Sequence, residues 1–427
     1  MLQERTAIPI YEAITKVLDT QAQQLSSEKI PLKQSTGRFL AFDLIATQDV
    51  PAFNRSLYDG YAIKAENTEN AAPENPIFLE VVGEIGAGQV FTEKVGNNQA
   101  VRIMTGAQVP NDCNAVIMLE HVKEMCTEMK TISIDRTIPI GDRVFHKGEE
   151  IREGAKLVKR GEMITPGIIG LLATFGYSEI EVIKKPKIGI LATGSELLDV
   201  HEPLIPGKIR NSNAYMLYSQ VIGAGGEAIY LGKLEDNIEE SIQAIKNVLP
   251  EMDALITTGG VSVGDFDYLP EIYKQLGATV LFNKIKMRPG SVTTVAKLGN
   301  KMLFGLSGNP SASFIGFELF VRPTIRRSLG NSNPHLLSCK GILADDELRS
   351  TDFTQLIRAK YYMKDANIFV TSNGLNMSSS ISSIAGAEAI MIIDPEIRTY
   401  RKGDEVQILL LSENKGQQES VFSQIKL

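Results

Sequence analysis

The 427-residue chain holds three cysteines and four histidines, and neither set falls in a metal-binding pattern. Cys113, Cys126 and Cys339 form no CxxC pair. A structural zinc site and a disulfide framework are thereby disfavoured, and the sparse usage suits a reducing cytoplasm. His121, His146, His201 and His335 show no HxxxH spacing, which argues against a histidine-built metal centre. No apolar run is long enough to cross a membrane, and the N-terminal MLQERTAIPIYEAITKVLDT lacks the apolar core of a signal peptide. Positive excess is also missing: Lys+Arg is 44 against Asp+Glu 51, a net charge of −7. A general nucleic-acid binder would be basic, so that class is set aside. GxxxxGK[ST] is absent, and GGVSVG flanks Ser262 at the wrong distance for a nucleophile elbow. Neither a standard nucleotide loop nor a serine hydrolase fits. There is no heptad, solenoid repeat or low-complexity tract.

What is present is a globular composition, 43% hydrophobic and 22% charged, on a chain too long for one core. Two to four domains are expected. The most informative residues lie in 187–318, where three apolar runs each end in a glycine turn: PKIGILATGSELL, DALITTGGVSVGDFDY and KMLFGLSGNPSASF. Such runs predict buried parallel strands whose carboxyl ends open into loops. Ligands of open α/β sheets bind at that edge. Glycines let backbone N–H groups close on an anion, and helix N-termini add partial positive charge. The turns bring Gly194 and Ser195, then Gly259, Gly260, Ser262, Gly264 and Asp265, then Ser307, Gly308, Asn309 and Pro310. Glu196, Asp265 and Asp267 add carboxylates beside them. An anion cradle with carboxylates points to a phosphorylated ligand held with a hard metal such as Mg²⁺.

Around that region the chain is segmented. Ile10, Ile14, Val17 and Leu18 predict an amphipathic N-terminal helix, and 76–145 reads as short strands with turns. In 146–183, Pro166 starts a helix that Thr165 can cap and Gly176 can end. The β-rich segment between two helical stretches looks inserted into a discontinuous domain. Lys184-Lys185-Pro186 is a plausible linker, 187–329 alternates strands with helices, and 331–427 returns to short strands. Helices are expected at 213–223, 236–249, 268–276 and 311–329, the last kinked or split by Pro323.

Several candidates carry two readings. Asp267 either caps the helix near Tyr268 or binds a metal, and both roles can coexist. Glu196 is read at the first turn of a helix, where a carboxylate complements the helix dipole or serves a ligand. Asp236 opens D-N-I-E and, with Glu239, resembles a capping box. Asn213 caps a helix or reaches a ligand. Lys284, Lys286 and Arg288 alternate, so a strand would put all three on one face, either as a solvated edge or as an oxyanion clamp. Asp59 in SLYDGYA and Thr105 in IMTGA look like turn residues on local grounds.

SLYDGYA, IMTGA, KGEE, TGSELL, LEDN, GGVSVGDFDY, MRPGS and GLSGNPSA occur in the order found in molybdopterin molybdenumtransferases. The chain resembles that family over nearly its whole length, least in the C-terminal β segment, and is similar to the E domain of the eukaryotic scaffold gephyrin. The resemblance implies an α/β multidomain fold. It comprises a discontinuous N-terminal domain (1–47 and 146–184), an inserted β-rich domain (48–145), a three-layer α/β/α molybdopterin-binding-like domain (185–330) and a C-terminal β-barrel (331–427). It implies a homodimer whose active site is shared between subunits, the α/β domain of one facing the inserted domain of the other. It also implies insertion of molybdenum from molybdate into adenylated molybdopterin with release of AMP. Dithiolene sulfurs take the metal, an oxygen leaves as water, and the pyrophosphate bond is cleaved.

Carried over position by position, Asp59, Thr105, Glu196, Asp236 and Asp267 match functional positions. Lys284 and Arg288 match basic ones, and Pro310 the second proline of L-P-G-N-P. Glu196, Asp236 and Asp267 are the expected Mg²⁺ ligands, with Glu150 a further candidate where the family has aspartate. The chain departs from the pattern at Ser307, which replaces the first proline, and at Ser291, which replaces a lysine. Phe145, His146 and Lys147 replace an arginine-rich run. No side chain is a persuasive nucleophile, so positioning and electrostatics are expected to carry the reaction. A molybdopterin adenylyltransferase is the expected upstream partner, and it is also the nearest rival identity. The extra domains count against that rival. A non-catalytic scaffold is the rival of another class. The retained acidic residues, and a start at the first helix without a fused adenylating domain, count against it.

Overall fold

The computed structural model describes residues 6–20, 26–125, 130–234, 237–259 and 269–411. They form two compact units, one from 1–41, 161–165 and 179–427, the other from 42–160 and 166–178. Among the described residues no helix is long and apolar enough to cross a membrane.

In the first unit a six-stranded sheet runs in the order Glu227–Leu234, Lys187–Thr193, Ala254–Thr258, Lys301–Leu306, Thr294–Leu298, Thr279–Phe282. The first four strands are parallel, Thr294–Leu298 runs against them, and Thr279–Phe282, antiparallel to Thr294–Leu298, runs with the first four again. Alternation along the strands builds two cores, because successive side chains leave opposite faces. Ile190, Ile256 and Phe304 pack with Leu217, Val221 and Ile315 on one face. Leu191, Leu255 and Leu303 pack with Ile245, Ile272 and Tyr273 on the other. The result is a three-layer α/β/α body with its glycine turns at one edge.

The helices fall at Ser212–Ala224, Ile238–Val248, Leu269–Gln275 and Pro310–Ser328, and the caps correct the sequence reading. Asn211, not Asn213, caps the first, accepting from the Ala214 N–H at 3.1 Å. Asn237, not Asp236, caps the second, accepting from Glu239 and Glu240 N–H at 3.0 and 3.2 Å. An asparagine amide oxygen satisfies the orphan N–H groups of a first turn as well as a carboxylate does. The last helix is indeed interrupted: a π-helical segment, Phe317–Val321, precedes the turn holding Pro323. The ring removes one N–H and crowds the preceding turn, and the wider helix absorbs both.

The C-terminal strands close a five-stranded barrel. Thr354–Lys364 pairs with Asn367–Ser372, then Ser338–Leu343, Glu405–Leu410 and Ala389–Ile393 follow, and the last returns to Thr354–Lys364. Leu343, Ile357, Val370, Met391 and Ile408 fill it.

The second unit holds a six-stranded sheet, Ala115–Met118, Gly60–Ile63, Gln99–Ile103, Ile77–Ile85, Thr131–Ile134, Lys123–Met125. It is covered on both faces by apolar clusters around Ile63 and Ile117 and around Val101 and Val116. The helix Pro166–Thr174 starts at its proline as expected and ends at Gly176, whose φ of 76° permits the closing bonds Gly176 N–H to Ala173 O and Tyr177 N–H to Leu172 O.

Candidate active site

Parallel register sets Ala192, Thr258 and Leu306 side by side, so the three glycine turns leave the sheet at one level. The backbones then converge. Gly259 has φ 96°, its N–H donates to Leu306 O at 3.1 Å, and a Cβ there would sit 2.3 Å from Thr193 O. Only glycine permits both that dihedral and that approach. A Cβ on Gly308 would lie 3.6 Å from the Gly259 Cα. Asn213 ties the second turn to the third: its Nδ2 donates to Thr258 Oγ1 at 3.1 Å and to Gly308 O at 2.8 Å. Gly308 O accepts only, which fixes the amide orientation. Thr258 Oγ1 donates onward to Ser307 O at 3.3 Å, and the Asn309 N–H donates to Ser307 Oγ at 3.2 Å. The hydroxyl at 307 thus makes a side-chain turn bond that proline could not make. The Asn213 Oδ1 is buried without a hydrogen-bond partner. Pro310 opens the helix behind this turn. Gly260, Ser262, Gly264, Asp265, Asp267 and Asp236 lie outside the described residues.

Glu196 is not on a helix. It follows Gly194 and Ser195 in a turn that leads into the two-residue strand Leu197–Leu198, paired with Ile209–Arg210. The Glu196 carbonyl accepts from the Ile209 N–H at 3.0 Å. Its exposed carboxylate folds back over Gly194, where a Cβ would meet Oε2 at 2.4 Å. Lys208, outside the sequence candidates, donates from Nζ to Ser195 O in the same turn.

The basic stretch is extended but is not one strand. Thr279–Phe282 ends before Lys284, Ile285 makes a lone bridge to Ile8, and only Met287–Arg288 joins another strand, Thr354–Gln355. The Met287 N–H donates to Ile285 O at 2.9 Å, a local turn that interrupts the ladder. Ile285 and Met287 are buried, while Lys286 and Arg288 are exposed and Lys284 is half-buried. The Arg288 guanidinium lies 5.8 Å from the Phe353 ring. It also borders a cavity of about 390 Å³, shared with Ser291, Ser307, Asn309, Thr351 and Arg358.

Arg358 is the largest departure from the sequence reading. It is 1% exposed, in the barrel strand Thr354–Lys364. Nε donates to Ser383 Oγ at 3.2 Å, Nη1 to Asn376 Oδ1 at 3.0 Å, and Nη2 to the Leu375 and Met377 carbonyls at 3.4 and 3.0 Å. Every one of these acceptors is neutral, and burial pulls the guanidinium pKa below its ordinary value. A buried cation without a carboxylate facing a polar cavity is an anion site in waiting. Its sequence signal is faint: one arginine inside the apolar run LIRA.

In the second unit Asp59 and Thr105, far apart in sequence, form one pair. Asp59 Oδ1 accepts from the Thr105 N–H at 2.7 Å and from Thr105 Oγ1 at 2.8 Å. These two bonds lower the carboxylate pKa. Glu150 has an exposed side chain and donates its backbone N–H to Val50 O at 3.1 Å. Among the described residues no three His, Cys, Asp or Glu side chains group as metal ligands.

Profile comparison matches the MoeA N-terminal region (domain I and II) over residues 8–176, a probable molybdopterin binding domain over 189–327, and the MoeA C-terminal region (domain IV) over 340–411. The chain belongs to the MoeA family. It is 48% identical over 417 residues to the molybdopterin molybdenumtransferase of Bacillus subtilis, covering 97% of each chain. It is 42% identical over 421 residues to that of Staphylococcus epidermidis, covering 99% of this chain and 100% of the relative. Two structures of the molybdopterin biosynthesis MoeA protein from Pyrococcus horikoshii superpose with TM-scores of 0.82 and 0.81, at 27% and 30% identity. Both cover 95% of this chain, and 99% and 100% of theirs. The MoeA fold therefore supplies the frame in which these turns, arginines and the Asp59–Thr105 pair sit.

Proposed function

We propose that the chain inserts molybdenum from molybdate into adenylated molybdopterin and releases AMP. The observation that carries the reading is the cavity bordered by Arg288 and the carboxylate-free Arg358, a polar site for a small oxyanion in an acidic protein. Hydroxyls of Ser291 and Ser307 around it can turn as donors to an oxyanion, while that of Thr351 donates to the Phe353 carbonyl at 3.1 Å. The neighbouring glycine turns supply backbone N–H groups to the phosphates and pterin. Thr105 keeps Asp59 ionised, which suits it to accept N–H groups of the ligand rather than to act as a base.

Mg²⁺ dependence belongs to the same proposal. The open carboxylate of Glu196 suits a hard cation, and Asp236 and Asp267 would complete the ligand set. Bound there, Mg²⁺ would offset the repulsion between the carboxylates and phosphate oxygens. The four-domain division, a cytoplasmic location suggested by the sparse cysteines, and supply of substrate by a molybdopterin adenylyltransferase complete the proposal. A homodimer with shared sites is supported by exposed Tyr215, Tyr218 and Ile222, which line one face of their helix.

The test is AMP release from adenylated molybdopterin by the purified chain with Mg²⁺, with and without molybdate. Molybdate-dependent release with the metal retained on the pterin is the expected result. A folded protein that releases no AMP, or that instead adenylates molybdopterin with ATP, overturns it. For the shared site, Asp59→Asn and Glu196→Gln should each be inactive, and mixing them should restore part of the activity. Mixed dimers without recovery refute sharing.

A further inference from the structure

Next to Asp59 and Thr105, Arg55–Ser56 and Val144–Phe145 form a two-stranded antiparallel ribbon, with Phe145 opposite Arg55 and Val144 opposite Ser56. Ser56 and Val144 are buried, so the ribbon turns Arg55 and Phe145 outward. The Leu57 N–H extends the pairing to Arg143 O at 3.0 Å. Two guanidiniums then lie over aromatic rings, Arg55 at 4.9 Å from the Phe145 centroid and Arg143 at 5.4 Å from that of Tyr58. Among the described residues Arg55 has no carboxylate partner, and Arg143 reaches only Asp142, at 3.9 Å. Arg143 also has φ 56°, a conformation that costs a non-glycine residue energy and collects at functional positions.

Phe145 stands where the resemblance places the first residue of an arginine-rich run. We propose that this chain has moved that charge across the ribbon: Arg55, held on the Phe145 ring, and Arg143, held on Tyr58, bind the phosphate or pyrophosphate oxygens of the ligand. Stacking occupies the face of a guanidinium and leaves its N–H edges free for an oxyanion. Phe145 is then a platform, and its replacement of a cation does not remove the anion site. The phosphate class follows from the cations alone. That the phosphate belongs to adenylated molybdopterin rests on the proposed function.

The experiment uses the full chain labelled with ¹⁵N-arginine, titrated with inorganic pyrophosphate and read at the arginine Nε–Hε signals. Arg55→Lys and Arg143→Lys assign the two signals. Both should move along one saturating curve. Arg55→Gln should weaken the affinity read at Arg143 by about thirtyfold, the value of one charge-assisted hydrogen bond. Adding Phe145→Arg to Arg55→Gln should recover most of it. Stationary Arg55 and Arg143 signals while other arginines saturate, or an unchanged Arg143 curve in Arg55→Gln, overturn the site. No recovery with Phe145→Arg in a folded protein overturns the exchange of position. Wild-type AMP release by Arg55→Gln would sink this inference and leave the function standing. Pyrophosphate binding at both arginines without AMP release by the wild type would do the converse.

Discussion

Arg358→Met separates a structural arginine from an oxyanion-binding one. The buried guanidinium donates four hydrogen bonds to Ser383, Asn376, Leu375 and Met377. Each is worth about 1.5–3 kcal/mol as a charged bond, but desolvating the cation offsets several kcal/mol of the sum. Methionine keeps the apolar stem and removes the donor to the Ser383 hydroxyl, the Asn376 amide oxygen and the Leu375 carbonyl, whereas the Met377 carbonyl still accepts from the Ser380 N–H and the Ser311 hydroxyl. A net loss of about 2–4 kcal/mol is expected. That loss alone would follow from either role, so the decisive quantity is linkage to ligand. Molybdate at roughly 100 times its Kd should stabilise the wild type by about 2.7 kcal/mol. Loss of one charge-assisted bond of about 2 kcal/mol weakens binding roughly thirtyfold. The same molybdate concentration is then roughly three times Kd, and the stabilisation falls to about 0.9 kcal/mol. Urea unfolding with and without molybdate, at matched ionic strength, measures both numbers. A folded Arg358→Met protein that molybdate stabilises as much as the wild type would refute the oxyanion assignment.

Gly259→Ala forces a Cβ to 2.3 Å from Thr193 O at φ 96°, so the second turn must leave the first. A loss of about 3 kcal/mol and of AMP release is expected, read by denaturation and turnover. Thr105→Val removes the 2.8 Å bond to Asp59 and keeps the backbone bond. The Asp59 pKa should rise back toward 3.8. The acid limb of the activity profile should then move to higher pH. The stability from ionised Asp59, present above its unfolded pKa and lost as pH falls through the lowered folded one, should shrink. Carboxyl ¹³C shifts of Asp59 check the sign, and an unmoved titration refutes it. Asn237→Ala should cost about 1 kcal/mol by uncapping Ile238–Val248, whereas Asp236→Ala should leave stability unchanged and lower turnover. Equal destabilisation by both would return the cap to Asp236.

The fold was legible where local chemistry and tertiary packing agree. The three strands declared themselves because fully buried parallel strands must be apolar throughout, and their helices because the caps and glycines sit at the ends. Errors came where two residues competed for one local task. Asp236 and Asn237 both can cap, and sequence spacing does not say which side chain reaches back. Glu196 follows a strand as a helix start would, yet the chain spends Leu197–Leu198 and Ile209–Arg210 on a small parallel pair before the helix begins at Ser212. The Asp59–Thr105 pair was nameable only through family resemblance, since each residue alone is an ordinary turn. Arg358 carried almost no signal, because its partners at 375–383 come from a loop and the short helix Ser382–Ala385, which no periodicity links to it.

Such partners explain how an acidic chain can favour anions. A carboxylate beside a buried arginine would stabilise the cation but cancel its field. Carbonyl, amide and hydroxyl oxygens stabilise it with dipoles that leave the net charge intact. Arg358 rests on such oxygens, and Arg55 rests on a ring whose quadrupole holds the cation with no net charge. The net charge of −7 therefore says little about the field at Arg358, whose hydrogen-bond partners are all neutral. Introducing a carboxylate beside either arginine without changing the fold should weaken anion binding more than removing a surface lysine does. Asn376→Asp is the direct case: it keeps the 3.0 Å hydrogen bond to Nη1 and adds one negative charge. Asn376→Asp should leave or raise stability and lower molybdate affinity, because Asn376 lines the same cavity as Arg358 and its new charge would oppose an anion there.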